Sequence, residues 1–152
     1  QHHDARRQRQ MCIRDSRDDA CDSGRAVAMA LVHDLAETVV GDITPNDGVS
    51  DEEKAAKERE AMGTMTAALG ARGEALMALW EEYEAGESAE ARLVKDMDKL
   101  EMIAQAMEYE TEENTGRGED LEEFFESTRG RYRTATGEAW SEEIERRRPR
   151  AG

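Results

Sequence analysis

The chain has 152 residues, of which 38% are charged and 38% hydrophobic, and carries a formal net charge of -15. That length suits one domain with a modest core, and so acidic a field argues against nucleic-acid polymers or anionic membranes as partners. A single mononucleotide stays open, because a bound cation and a few basic groups reverse the field locally. Gly at 12, Pro at 2 and aromatics at 5% fit a helix-rich domain with charged outer faces. The longest apolar run, Ala26 to Val32, is too short to cross a bilayer. The N-terminus has no apolar segment of the signal-peptide kind. Cys12 and Cys21 lack metal-ligand spacing and read as reduced thiols in a cytoplasmic protein.

Residues 1–20 are polar and basic, without helical apolar periodicity, and are expected to stand apart from a folded unit spanning 21–148. Residues 149–152 read as a tail. The first helix is expected from Asp22 or Ser23, either of which can cap it, to about Val40. Val27, Leu31 and Leu35 would form its apolar stripe. TPNDGV is a loop. Ser50 with Glu53 forms a capping box opening a helix to about Leu69, stopped by Gly70. The dense charge on that helix reads as a solvated face. A shorter helix covers about Glu74 to Tyr83, with Leu76, Leu79, Trp80 and Tyr83 on one core-facing stripe. Gly86 breaks the chain and Ser88 can cap the next helix, about Ala89 to Glu112. Its buried stripe is Leu93, Met97, Leu100, Ala104 and Met107, with the methionines as core filler. ETEENTGRGED is a loop. Asp120 with Glu123 opens a short helix carrying Leu121, Phe124 and Phe125. A last helix, near Glu138 to Arg148, places Trp140 and Ile144 on one side. Its basic end, ERRRPR, favours a helix C-terminus over a nucleic-acid patch. No stretch alternates like a strand, so the fold class is all-α.

The stretch AVAMALVHDLAETVVGDITP concentrates the chemistry. On a continuous helix, His33 and Glu37 lie on one face, with the small residues Ala30 and Ala26 behind them. An imidazole and a carboxylate would then project from a face that a second helix or a metal can approach. Asp34 reaches the same point from the side, and Asp42 follows the turn at Gly41. By themselves His33 and Asp34 could equally be a hydrogen-bonded core histidine and a surface charge. Asp98 lies at the edge of its helix's apolar stripe and needs a partner, because an unpaired buried carboxylate is costly. Asp96 points to a different side. One imidazole and several carboxylates suit a divalent cation of intermediate hardness, manganese, cobalt, magnesium or iron. Such an ion makes hydroxide available near neutral pH and neutralises a phosphoryl oxygen.

VHDLAE followed by GDITP resembles the HD-domain metal-dependent phosphohydrolases, and within them the 5'-deoxynucleotidase branch. The resemblance continues through SDEEKAAKEREAM, LWEEYE, SAEARLVKDMDKLEMIAQAMEYE and LEEFFESTRGRYR, from about Asp22 to about Arg148. It implies an HD-domain helical bundle in which His33, Asp34 and Asp98 bind metal, and in which Glu37 and Asp42 are catalytic. Asp42 would also border the sugar. The implied reaction is hydrolysis of a deoxyribonucleoside 5'-monophosphate to deoxynucleoside and phosphate, in a possible homodimer. The family normally places two helices, with a first metal-binding histidine, ahead of the His-Asp pair. Here His2 and His3 are followed by ARRQRQ instead of an apolar helix and are read as coincidence. The bundle is therefore expected to be N-terminally incomplete, and this chain weak or inactive. The alternatives are an HD-type phosphodiesterase and a non-catalytic helical module for protein interaction.

Overall fold

A computed structural model describes residues 21–41, 43, 48–110 and 121–148. Among them stand seven helices and no strand: α1 (Ser23–Val32), α2 (Glu37–Val40), α3 (Asp51–Ala67), α4 (Ala71–Ala85), α5 (Ala89–Tyr109), α6 (Glu122–Thr128) and α7 (Ala135–Arg147). The expectations for Cys12, most of the ETEENTGRGED loop and the 149–152 tail fall outside the described residues.

Helix α5 is the axis, packed by α1, α4, α6 and α7. It buries Leu93, Val94, Met97, Leu100, Ile103 and Ala106. Two of these, Ile103 and Ala106, replace the expected Ala104 and Met107, which are only half-buried. A helix with neighbours on several sides buries a wide arc, and a single stripe understates it. Local chemistry sets the boundaries. The Ser50 hydroxyl accepts from Glu53 N at 3.2 Å and Ser88 from Ala91 N at 3.1 Å, satisfying amides that have no partner inside the helix. Gly86 ends α4 at φ 65°, a left-handed conformation that glycine adopts without strain.

The first helix differs from expectation in two ways. It stops at Val32, and residues 33–36 form turns before the single turn of α2. The main-chain bonds tighten there, Leu35 N to Val32 O at 3.1 Å and Glu37 N to Asp34 O at 3.2 Å. Three-residue spacing of this kind winds the chain more tightly than an α-helix, so His33 and Glu37 do not share a regular helical face. Secondly, α1 buries Ala26, Met29, Ala30 and Val32, while Leu31 is 48% exposed. The small residues let α1 approach α5 closely and carry His33 inward. A second, smaller core of Ala36, Met62 and Trp80 clamps the 33–36 turns against α3 and α4.

Asp96 ties α5 to the start of α7. Fully buried, it accepts from Arg133 N, Thr134 N and the Thr134 hydroxyl at 2.8, 2.8 and 2.9 Å, and from Lys99 Nζ at 3.1 Å. Gly137 passes so close that a Cβ there would stand 2.5 Å from Asp96 Oδ2. The basic C-terminal end is likewise structural. Arg148 holds Glu110 with bonds of 2.6 and 2.5 Å, pairs with Glu122, and lies 3.9 Å from the Phe125 ring centroid. Among the described residues no helix is long and apolar enough to cross a membrane.

Candidate active site

The tightened turn after α1 delivers His33 to the interior, only 6% exposed. Its Nδ1 lies 2.9 Å from the Ala30 carbonyl. A carbonyl only accepts, so Nδ1 carries the proton and donates, and Nε2 faces the other way. There Nε2 meets Asp34 Oδ1 at 2.8 Å and Asp98 Oδ1 at 3.7 Å. The Tyr83 ring packs edge-on against the imidazole, centroid to centroid 5.1 Å. Asp34 and Asp98 side chains are 31% and 44% exposed and open onto a cavity. So α1, the turn after it, α4 and α5 bring together residues far apart in the chain.

The cavity has a volume of about 230 Å³. Glu37 lines it beside the His33 cluster. Asp42 falls outside the described residues, as do His2 and His3. The rest of the wall comes from residues to which the sequence reading gave no site role: Lys54 and Glu58 on α3, Tyr83 and Glu84 on α4, and Lys95 on α5. Glu58 is 8% exposed, so the charge on α3 is not all solvated. Burial pushes the Glu58 carboxyl above its usual range, while Lys54 opposes this. The one signal for this wall was the spacing of Lys54 and Glu58, an i, i+4 pair with Nζ to Oε1 3.7 Å.

The donor chemistry fits a divalent cation. An imidazole whose Nδ1 is fixed by a carbonyl presents Nε2 in a set orientation, the usual support for a metal-ligating histidine. Two carboxylates meet that nitrogen. Among the described residues no three His, Cys, Asp or Glu side chains already stand in ligating geometry, and Asp34 closes directly onto Nε2. Burial pulls the His33 pKa down, but hydrogen bonds and charge from Asp34 and Asp98 overcome it and hold it at about 9, from 6.5.

A family model described as HD domain matches residues 9–140. The chain belongs to the HD-domain family. Its curated relatives include 5'-deoxynucleotidase HDDC2 of Danio rerio, 53% identical over 71% of this chain and 54% of that protein. HDDC2 of Homo sapiens is 49% identical over 76% of this chain and 56% of that protein. 5'-deoxynucleotidase hdd1 of Schizosaccharomyces pombe is 44% identical over 70% and 56%. The chain thus spans about half the length of the curated relatives it matches. The solved structure of HD domain-containing protein YGK1(YGL101W) superposes with a TM-score of 0.72 at 23% identity. It covers 95% of this chain and 75% of that one, and shows the same all-helical HD fold.

The raised His33 pKa has a consequence for the metal-free HD domain. A histidine whose folded pKa exceeds its unfolded value adds stability that is complete below the unfolded pKa. That stability disappears as pH rises through the folded one. In chelator, the domain should lose on the order of 3 kcal/mol between about pH 6.5 and 9. Urea unfolding across that range measures it. A stability that is flat or rises with pH would contradict the pairing of His33 with Asp34 and Asp98.

Proposed function

We propose that this chain is the metal-dependent catalytic domain of a 5'-deoxynucleotidase, hydrolysing deoxyribonucleoside 5'-monophosphates to deoxynucleoside and phosphate. One observation carries the reading: His33, Asp34 and Asp98 meet at the edge of a cavity of about 230 Å³. That space suits a small ligand more than a polymer. The names of the matching relatives supply the substrate class.

In this reading His33 Nε2, Asp34 and Asp98 hold the cation, and manganese, cobalt, magnesium and iron all suit the donors. A divalent ion there would supply Lewis acidity to the phosphate ester and to water. The remaining work falls to carboxylates. Glu37 borders the cavity and is assigned to orient or deprotonate the attacking water. As the water oxygen bonds to phosphorus, the bond from phosphorus to the 5' oxygen breaks. Asp42 is assigned to protonate that leaving oxygen and to border the sugar. The Tyr83 edge and the Ala30 carbonyl keep the imidazole from rotating. The assignment extends to a homodimer by resemblance, and to the cytoplasm, where the free thiol of Cys21 would remain reduced.

Among the described residues three protein donors stand at this point, fewer than the resemblance implies, and slow turnover by this chain is expected. The test is phosphate release from dAMP with manganese or cobalt, beside a phosphodiester substrate. Slow, chelator-sensitive release from the monoester is expected. Faster cleavage of the diester would support the phosphodiesterase alternative. Monoester hydrolysis indifferent to chelator would sink the metal-dependent reading.

A further inference from the structure

The cavity lining carries two ammonium groups, and they are differently occupied. Lys54 Nζ donates to the Ile43 carbonyl at 3.0 Å and lies 3.7 Å from Glu58. Lys95 is placed otherwise. Its Nζ lies 4.2 Å from the Tyr83 ring centroid, and among the described residues it forms no ion pair. In a chain of net charge -15, a lysine beside a cavity containing five carboxylates would be expected to pair with one of them. Its stem is also guided. It runs past Gly86, where a Cβ would stand 3.2 Å from Lys95 Cε. Gly86 is in turn fixed by Arg133 Nη1 donating to its carbonyl at 3.0 Å. The Tyr83 ring that carries Lys95 on its face also packs against His33. One aromatic ring thus fixes both the candidate metal ligand and the cation.

We propose that Lys95 is the residue that binds the phosphoryl oxygens of the substrate. The proposal deepens the monoesterase reading and rests on it for the identity of the ligand. Five carboxylates line the cavity against two ammoniums. A phosphate dianion entering it is repelled unless positive charge meets it there. The His33 cluster would provide that charge through its cation. Lys95 provides it as a second, separate and compact point charge with three donors. A face-on aromatic contact holds an ammonium in place without neutralising it, which leaves its charge available to an anion.

The test compares Lys95→Gln and Lys95→Arg with the unaltered chain in manganese, after circular dichroism shows the variants folded. Lys95→Gln should raise KM for dAMP by about 10- to 100-fold, the scale of a lost charge-assisted bond. It should weaken inhibition by inorganic phosphate in parallel, with kcat changing less. Lys95→Arg should recover most of both, and manganese content should be unchanged in each variant. Unchanged KM and unchanged phosphate inhibition in Lys95→Gln would overturn the proposal while the monoesterase reading survived. If the unaltered chain binds phosphate but hydrolyses no monoester, and Lys95→Gln loses that binding, the phosphate site stands and the monoesterase reading falls. An unaltered chain that binds neither phosphate nor dAMP overturns the phosphate site itself.

Discussion

His33→Ala should remove divalent metal from the purified chain and abolish hydrolysis of dAMP. Among the described residues the imidazole is the nitrogen donor of the cluster, and Asp34 and Asp98 both approach its Nε2. Changing groups that merely support a metal ligand costs about 10- to 100-fold in affinity, so removing the ligand should exceed that range. The substitution also empties space next to Tyr83 and frees the buried Ala30 carbonyl. Some loss of stability is therefore expected, and circular dichroism must accompany elemental analysis. A folded variant with unchanged metal content would leave His33 as a hydrogen-bonded core histidine, and the helical interaction module would become the better reading.

The largest effect on folding is expected at Asp96. Asp96→Ala leaves Arg133 N, Thr134 N, the Thr134 hydroxyl and Lys99 Nζ without the acceptor they share. Removing one partner from a buried charged network costs about 3–5 kcal/mol. Domains are stable by only about 5–15 kcal/mol in total, so the variant should unfold at a much lower urea concentration or fail to fold. Alanine at Asp98, whose side chain is 44% exposed, should cost far less stability and act on metal content instead. Near-native stability in Asp96→Ala would mean that α7 is held to α5 by its apolar contacts alone. The contrast separates two aspartates only two positions apart on one helix, one structural and one facing the cavity.

Much of this was legible because local rules and tertiary packing agree. Ser50, Ser88 and Gly86 mark helix boundaries by chemistry that depends on neighbours in sequence. Trp80, Tyr83, Leu93 and Met97 are buried as their spacing implies. The placement of His33, Asp34 and Asp98 around one point was expected from motif strings, since no periodicity could bring α1 to α5. Legibility ended where tertiary contacts decide. The helix expected to reach Val40 breaks after Val32, where the His33 ring bonds back to the Ala30 carbonyl and Ala36 plugs the second core. Of the expected stripe on the first helix, Val27 and Leu35 pack against the core while Leu31 is exposed, and the deepest positions fall to Ala26, Met29, Ala30 and Val32. Lys54, Glu58 and Lys95 were hidden for a different reason. In a sequence with 38% charged residues, a charge facing a cavity looks the same as a charge facing water.

The most direct measurement is an anomalous-scattering map from crystals of this chain grown with manganese. One ion should touch His33 Nε2 together with the Asp34 and Asp98 carboxylates. Manganese bound only elsewhere, with His33 still closed onto Asp34 and Asp98 turned aside, would contradict it.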